Sequence, residues 1–321
     1  MKRNRPARQR GVAVITALLL TTLAVTIVAS LFWAQQVQVR SMENQRLHLQ
    51  TKWILRGALD WAGLVLRQDA RDNDYTSLNQ VWATPLAETR LDQYIERERV
   101  AGEVFDATLS GSIVDATSRY NLANLAKQRI PEQKQIAIYK RLLTNLALDP
   151  ALAERTAKAV ASAQVLVASA DPPVDGAPTP VVTSNAPVRL TQLDDLLTIT
   201  GYTVEVVNKL REFVIVLPEA TKVNVNTAPP EVLAAVIEDF SIAEANSLVA
   251  RRKSASWRDI GQFGTELGGK TVIDNAAGVQ SNYFLVLSRV RLDRAALNAE
   301  ALINRGADGR KLTTLVWVRQ N

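Results

Sequence analysis

Gln9-Arg10-Gly11 and the uncharged run that follows it, VAVITALLLTTLAVTIVASLFWA at residues 12–34, decide how this chain is organised. As a helix the run is about 35 Å long at ~1.5 Å per residue, which is enough to cross a bilayer core of about 30 Å. The residues before it include five bases and no acid: Lys2, Arg3, Arg5, Arg8 and Arg10. This bias predicts one membrane span with its short leading end in the cytoplasm.

Three interpretations of this stretch compete. A secretory signal peptide has an apolar core of roughly 7–15 residues followed by a cleavage site of small residues. This run is longer and continues into Phe32–Gln36 without such a site, which argues against that interpretation. A plain single-pass anchor and a type IV pilin-like leader both remain. The leader hypothesis takes residues 1–11 as a basic segment that is cleaved after Gly11, while the apolar run stays in the mature protein.

The fifth residue after Gly11 is Thr16, where most pilin-like proteins carry Glu. In a packed fibre the new amine of Val12 would lie in an apolar environment, where an isolated charge is costly. A neighbouring carboxylate would offset that charge. A chain with Thr16 is therefore predicted to be an end piece rather than a repeating subunit. The alternative is that Thr16 is an ordinary membrane-helix residue and Gly11 is no cleavage site.

Helical periodicity continues beyond the apolar run. We predict one helix from Val12 to about Arg67, with a transmembrane half at 12–39 and an amphipathic half on the far side of the membrane. A transmembrane helix followed by a separate soluble helix is the alternative. The segment 40–119 is predicted to hold the second helix half and the first strands of a head, including a short helix around Glu88–Glu98. Glu103–Asp115 is predicted to form two strands around a turn at Ser110-Gly111.

Two asparagine motifs stand before two pairs of helical stretches. RYNLANL at 119–125 precedes one pair, and KVNVNTAPP at 222–230 precedes the other. Asn side chains close turns and cap the first amides of a helix. The sequence therefore predicts structural capping roles for Asn121, Asn124, Asn224 and Asn226. It also predicts two related helical modules, at 120–212 and 213–269.

A Pro-rich segment at 169–187 separates these motifs and is predicted to be a long exposed loop. Its Asp171 and Asp175 could contribute to a calcium site, although calcium needs six to eight oxygen ligands. Strands return in the last segment, 270–321, at Tyr283–Leu292 and Leu312–Val318. The predicted fold class is α+β, with a large helical insertion between the strands of the head.

Composition removes several classes of function. The chain has no Cys, which excludes disulfides, Cys-ligated zinc, iron–sulfur clusters and Cys nucleophiles. His48 is the only histidine, which argues against a Ser-His-Asp triad. No phosphate-binding loop or nucleophile motif is present, so we expect no enzyme. The net charge of +6 is weak evidence for nucleic acid, because five of the bases lie in the first ten residues.

The chain resembles the minor pseudopilin K family of type II secretion systems. The resemblance runs almost end to end and is carried by Gly11-Val12-Ala13, Val114-Asp115, the two asparagine motifs and the closing strands. It implies a pilin-like fold: a long N-terminal helix on a small antiparallel sheet, whose head carries a mostly helical insertion of SAM or helix-hairpin-helix type. Thr16 in place of Glu is itself a feature of this family.

The resemblance also implies a function. It implies cleavage after Gly11 by the prepilin peptidase, methylation of the Val12 amine, and assembly with minor pseudopilins I and J at the pseudopilus tip. The subunit would lie in the inner membrane beside the secretion platform, with its head in the periplasm and no nucleic-acid partner. Some members bind calcium, but here only Asp171 and Asp175 could represent those ligands, so we expect no cofactor and keep calcium as the alternative.

A membrane-anchored DNA-binding protein of competence type is the alternative. Residues 223–263 also look like a helix-hairpin-helix repeat, in which a Gly-rich hairpin directs backbone amides at phosphate. Here the hairpin Asp239–Ile242 has no Gly and contains an acid. Arg251, Arg252 and Lys253 could contact phosphate, but a basic last turn is also common at solvated helix ends.

Overall fold

A computed structural model describes residues 10–92, 106–164, 189–306 and 312–320. The α-helices within these ranges are α1 (Arg10–Asp72), α2 (Gln133–Asn145), α3 (Leu152–Ala163), α4 (Val204–Leu210), α5 (Pro230–Val236), α6 (Ile242–Ser254) and α7 (Ile260–Thr265). The strands are β1 (Leu86–Arg90), β2 (Ala107–Asp115), β3 (Tyr120–Asn121), β4 (Ala126–Lys127), β5 (Ile130–Pro131), β6 (Val214–Ile215), β7 (Val223–Asn224), β8 (Ala277–Gly278), β9 (Tyr283–Leu292), β10 (Ala295–Arg305) and β11 (Thr313–Gln320).

Helix α1 is continuous over 63 residues, or about 95 Å at ~1.5 Å per residue. It is the one helix in the described ranges that is long and apolar enough to cross a membrane, and none of its most apolar window is buried. Its second half buries Leu55, Leu59, Ala62 and Leu66, at the three- and four-residue spacing of one helix face. The predicted long helix with an apolar first half and an amphipathic second half is therefore confirmed.

The amphipathic half of α1 packs on a five-stranded antiparallel sheet with strand order β1-β2-β9-β10-β11. Alternate residues of β9 and β10 face the helix, as the two-residue period of a strand requires. Trp82, on the chain that leads from α1 to β1, lies edge-on to Phe284 of β9, with ring centroids 5.2 Å apart. The core of the head thus forms between one helix face and one sheet face.

The helical part is inserted between two neighbouring strands. The chain leaves the sheet at the end of β2 and returns at the start of β9, where Asp115 is paired with Phe284. The described part of this insertion has its own apolar core, and both helix groups, α2 with α3 and α4 to α7, contribute to it. This core shares no residue with the core between α1 and the sheet. The predicted mixed fold with a helical insertion is confirmed. The boundary between modules 120–212 and 213–269 and the SAM or helix-hairpin-helix likeness stay predictions.

Two local predictions are wrong. The predicted helix around Glu88–Glu98 begins in strand β1, which pairs with β2, and its residues 93–98 lie outside the described ranges. The predicted turn at Ser110-Gly111 is part of the uninterrupted strand β2. Gly111 is paired with Ser288 of β9, and a Cβ on Gly111 would lie 2.4 Å from the carbonyl oxygen of Leu287. The glycine therefore serves a close approach of two strands, not a turn.

Candidate functional site

The apolar half of α1 is the first candidate surface. Gly11 lies in its first turn, and the side chain of Val12 is 67% exposed. The Thr16 hydroxyl lies 3.1 Å from the carbonyl oxygen of Val12 and 3.0 Å from that of Ala13, so its donor is satisfied within the helix. This stretch offers a long uncharged surface to lipid or to other helices, since residues 12–34 contain no Asp or Glu.

The first asparagine motif joins the two helix groups of the insertion. Asn121 Oδ1 accepts hydrogen bonds from the amides of Ala123 (3.0 Å) and Leu217 (3.1 Å). Asn124 Nδ2 donates to the carbonyl of Thr221 (2.8 Å), and its Oδ1 accepts from the Thr221 amide (2.9 Å). These two side chains therefore fix the segment around residues 217–221 against the turn that follows β3.

The second motif connects the insertion to the rest of the head. Asn226 bonds the backbone of Trp257 in both directions, at 2.8 and 2.9 Å. Asn224 Oδ1 accepts from the Asn226 amide (3.0 Å), while its Nδ2 lies 2.9 Å from Asp115 Oδ2 and 2.8 Å from Ser281 Oγ. Asn224 thus reaches out of the insertion to both of the chain segments that link it to the sheet.

Asp115, the last residue of β2, is the centre of a buried hydrogen-bonded cluster that we call the polar junction. Its members are Asp69, Thr76, Asp115, Thr117, Asn224, Thr227, Ser281 and Arg305. The Oδ1 of Asp115 accepts from the amide and hydroxyl of Thr117, both at 2.8 Å. Its Oδ2 accepts from Asn224, from Thr227 Oγ1 (2.5 Å) and from Ser281 Oγ (2.6 Å). Both oxygens of this buried carboxylate therefore accept hydrogen bonds.

A buried ion pair completes the polar junction. Arg305 Nη1 at the end of β10 donates to Asp69 Oδ2 in the last turns of α1 (2.7 Å), and both side chains are less than a tenth exposed. Arg305 Nη2 donates to Thr76 Oγ1 and to the carbonyl of Ser281, each at 2.8 Å. Burial raises the pKa of Asp69, and Arg305 opposes that rise. The junction therefore ties together α1, the sheet and the insertion.

The candidate calcium ligands Asp171 and Asp175 lie outside the described residues. Within the described ranges, no group of three or more His, Cys, Asp or Glu side chains could hold a metal ion. His48 is exposed on α1.

The basic end of α6 is engaged in structural contacts. Arg252 is buried, and its Nη1 donates to the carbonyls of Val225 (2.8 Å) and Ala228 (2.6 Å); burial lowers its pKa to about 10. Arg251 pairs with Glu266. Arg252 is therefore unavailable for phosphate, whereas the pair of Arg251 with Glu266 lies at the surface.

The first turn of α6 carries its own anion. Glu244 Oε2 accepts from the amide (2.9 Å) and hydroxyl (2.7 Å) of Ser241, and Lys270 donates to its Oε1 (2.6 Å). These bonds lower the pKa of Glu244 to about 2, first through Lys270 and then through Ser241. A carboxylate therefore occupies the helix start at which a helix-hairpin-helix repeat would bind phosphate.

Comparison with known proteins gives one consistent result. Residues 223–285 and residues 118–219 match two family models, both described as type II secretion system (T2SS), protein K, and together these ranges cover just over half of the chain.

Whole-chain relatives carry the same description. The chain is 29% identical over 327 residues to the type II secretion system protein K of Pseudomonas aeruginosa, covering 94% of this chain and 90% of that protein. It is 25% identical over 318 residues to the protein of the same description from Pectobacterium carotovorum, covering 93% of each. Among solved structures, it is similar to a chain in the GspK-GspI-GspJ complex of the enterotoxigenic Escherichia coli type 2 secretion system. The TM-score is 0.64 at 18% identity, over 87% of this chain and 99% of that one, a likeness in fold.

Proposed function

The chain belongs to the type II secretion system protein K family, and from that membership we propose that it is a minor pseudopilin that starts or caps a pseudopilus during export of folded proteins across the outer membrane. The single observation that carries this proposal is helix α1. Its first half is apolar and wholly exposed, while its second half forms the core of the head. One rigid element can thereby hold the head at a membrane and later pack among other helices in a fibre.

Processing at the start of α1 is the first step of the proposed mechanism. The prepilin peptidase cleaves after Gly11 and the new amine of Val12 is methylated. Cleavage removes the five bases of the leader, which anchor the N-terminus in the cytoplasm. The helix can then leave the inner membrane while the head stays in the periplasm. The mechanism is assembly, and no catalytic step belongs to it.

The partners proposed are minor pseudopilins I and J, with the pseudopilus and the inner-membrane secretion platform beyond them. The fold neighbour described above comes from a GspK-GspI-GspJ complex, which supports this choice. The bulk of the insertion favours the tip, because a large insertion would clash with neighbours inside a regular fibre. We expect no resident cofactor, and a calcium site at Asp171 and Asp175 stays the untested alternative.

Intact mass and N-terminal sequencing of the membrane-extracted protein, with and without the prepilin peptidase, test the class. We expect a peptidase-dependent N-terminus at methylated Val12, and no processing of a Gly11→Phe variant. Ala24→Phe, a small-to-large change in the middle of the same apolar run, is the matched control and should be processed normally. An N-terminus at Met1 in the presence of the peptidase, or cleavage after the apolar run, would contradict the proposal. The DNA-binding alternative would then be tested by a direct binding assay.

Thr16 tests the position at the fibre end. A Thr16→Glu variant would carry the carboxylate that a repeating subunit offers to its neighbour's amine, and we expect it to form less of the complex with I and J. The Gln side chain of a Thr16→Gln variant has nearly the same shape as Glu but no charge, so this variant should behave like the wild type. Equal co-purification of I and J with all three proteins would count against the role assigned to Thr16.

A further inference from the structure

The insertion and the head meet through two kinds of contact. One is a small apolar cluster in which Ile215 and Leu217 of the insertion cover Leu285 and Leu302 on the face of the sheet opposite α1. The other is a set of hydrogen bonds. Most of them belong to the polar junction, and two lie outside it, from Tyr283 Oη to Glu219 (2.7 Å) and from Arg319 to the carbonyl of Thr191 (2.9 Å). Apolar contacts have little directional preference, whereas hydrogen bonds weaken steeply when their angle changes. The angle between insertion and head must therefore depend on the polar contacts.

We propose that Asp115 is a positioning residue that locks the helical insertion at one angle on the head, and that this angle is needed for assembly with the partner subunits. The assembly half of this inference rests on the proposed function. The locking half does not, because it concerns the geometry of the chain alone.

The network is arranged so that a rotation of the insertion would break several bonds at once. The Asp115 carboxylate belongs to the sheet, whereas Asn224 and Thr227 belong to the insertion and Ser281 to the returning segment. Asn224 Nδ2 also donates to the carbonyl of Thr76, on the chain that follows α1 (3.1 Å). A buried donor that loses its acceptor keeps the full cost of its desolvation. Small rotations are therefore penalised, although the two apolar cores share no residue.

Asp115→Asn is the direct test, because it replaces one acceptor oxygen by a donor of the same size. Asp259→Asn is the matched control. Asp259 Oδ1 also accepts a hydrogen bond, from the amide of Gln262 (2.8 Å) at the start of α7, and this bond lies wholly within the insertion. Thr227→Val is a milder second variant, which removes one donor to Asp115 and keeps the shape of the side chain.

The chain has no cysteine, so two spin labels can be placed without removing native residues. We would label full-length protein in detergent at Arg56→Cys on α1 and Lys158→Cys on α3, both exposed, and measure the distance distribution by double electron–electron resonance. We expect one narrow peak for the wild type and for Asp259→Asn. Asp115→Asn should give a broadened or shifted distribution, and Thr227→Val a smaller change in the same direction. Circular dichroism should show unchanged helix content in all of them.

Binding of the same proteins to co-expressed partners I and J tests whether the angle of the insertion is needed for assembly. We expect Asp115→Asn to raise the Kd about tenfold, the effect of losing one hydrogen bond to a charged group, while Asp259→Asn leaves it unchanged. An unchanged distance distribution in Asp115→Asn would overturn the lock. A broadened distribution with unchanged binding would overturn its role in assembly. Failure of the wild type itself to bind I and J would instead contradict the proposed function, and the distance measurement would still decide the lock.

Discussion

Replacing Arg305 by Met should destabilise the head far more than the same replacement at an exposed arginine. Arg305 is buried and gives hydrogen bonds to Asp69, Thr76 and Ser281, and its guanidinium lies 4.8 Å from the centre of the Phe284 ring. Met fills a similar volume but has no donor. The variant therefore leaves the Asp69 carboxylate buried without a counter-ion.

The magnitude follows from that uncompensated charge. Removing one partner of a buried ion pair costs about 3–5 kcal/mol. For a head of this size, each kcal/mol lowers Tm by about 2–4 °C, so the expected loss is roughly 6–20 °C. Removing both charges, in Asp69→Asn with Arg305→Met, should recover most of the loss, because well-packed neutral side chains often replace a buried ion pair without cost.

The loss should also depend on pH in a definite direction. Burial already raises the pKa of Asp69 above its ordinary value of 3.8, and loss of Arg305 removes the charge that opposes this rise. In the variant the folded state therefore binds a proton more readily than the unfolded state does. The free energy of unfolding of the variant must therefore increase as the pH falls through the folded-state pKa of Asp69 towards about 4. The difference in stability from the wild type should be greatest near neutral pH.

Scanning calorimetry of the full chain in detergent, at pH 7.5 and pH 4.5, makes the measurement. Arg294→Met is the control, since Arg294 also pairs with a carboxylate of α1, Glu43, but at the surface (3.3 Å). An exposed pair contributes about 0–1 kcal/mol, so this variant should melt within a few degrees of wild type. Equal losses for the two arginines, or a loss for Arg305→Met that grows as the pH falls, would refute the reasoning.

Three further outcomes follow from local geometry. Gly111→Val should prevent close pairing of β2 with β9, because its Cβ would lie 2.4 Å from the Leu287 oxygen. Hydrogen exchange should then show faster exchange of the β2 amides than in the wild type. Exchange at the wild-type rate would contradict this prediction. Glu244→Gln should remove a stabilising effect that is fully present above pH 4.5 and is lost as the pH falls through about 2, so melts of variant and wild type should converge in acid. Arg252→Met leaves two buried carbonyl groups without donors and should cost about 1–3 kcal/mol in urea unfolding; no change would mean that these bonds do not stabilise α6.

Much of the architecture could be predicted because it depends on local periodicity. The apolar run and the four-residue spacing after it predict α1, and the alternation in β9 and β11 predicts strands. Gly111 shows where such local reasoning fails. A Ser-Gly pair is a turn signal by composition, but whether it lies in a turn or under a neighbouring strand depends on a partner more than 170 residues away.

The polar junction was missed for the same reason. The ion pair between Asp69 and Arg305 joins residues 236 positions apart, and the bond between Asp115 and Ser281 joins residues 166 positions apart. One signal was available: Arg305 lies in phase with Ala299, Ala301 and Ile303 on the inward face of β10, so an extended strand would have pointed its charge into the core. An inward-facing arginine requires a buried acceptor, but sequence spacing does not identify which carboxylate provides it.

The pairing of Asp115 with Phe284 also bears on the order in which the chain folds. Joining β2 to β9 closes a loop that contains residues 116–283, and the entropy cost of closing a flexible loop rises with its length. The contacts inside the insertion are mostly shorter in range, so they can form earlier. A folded insertion brings its two ends together, so the entropy cost of pairing β2 with β9 becomes nearly as small as that of closing a hairpin. We therefore expect the sheet to complete only after the insertion has folded, so that a slow-folding insertion would leave β2 and β9 as exposed edges at the membrane surface.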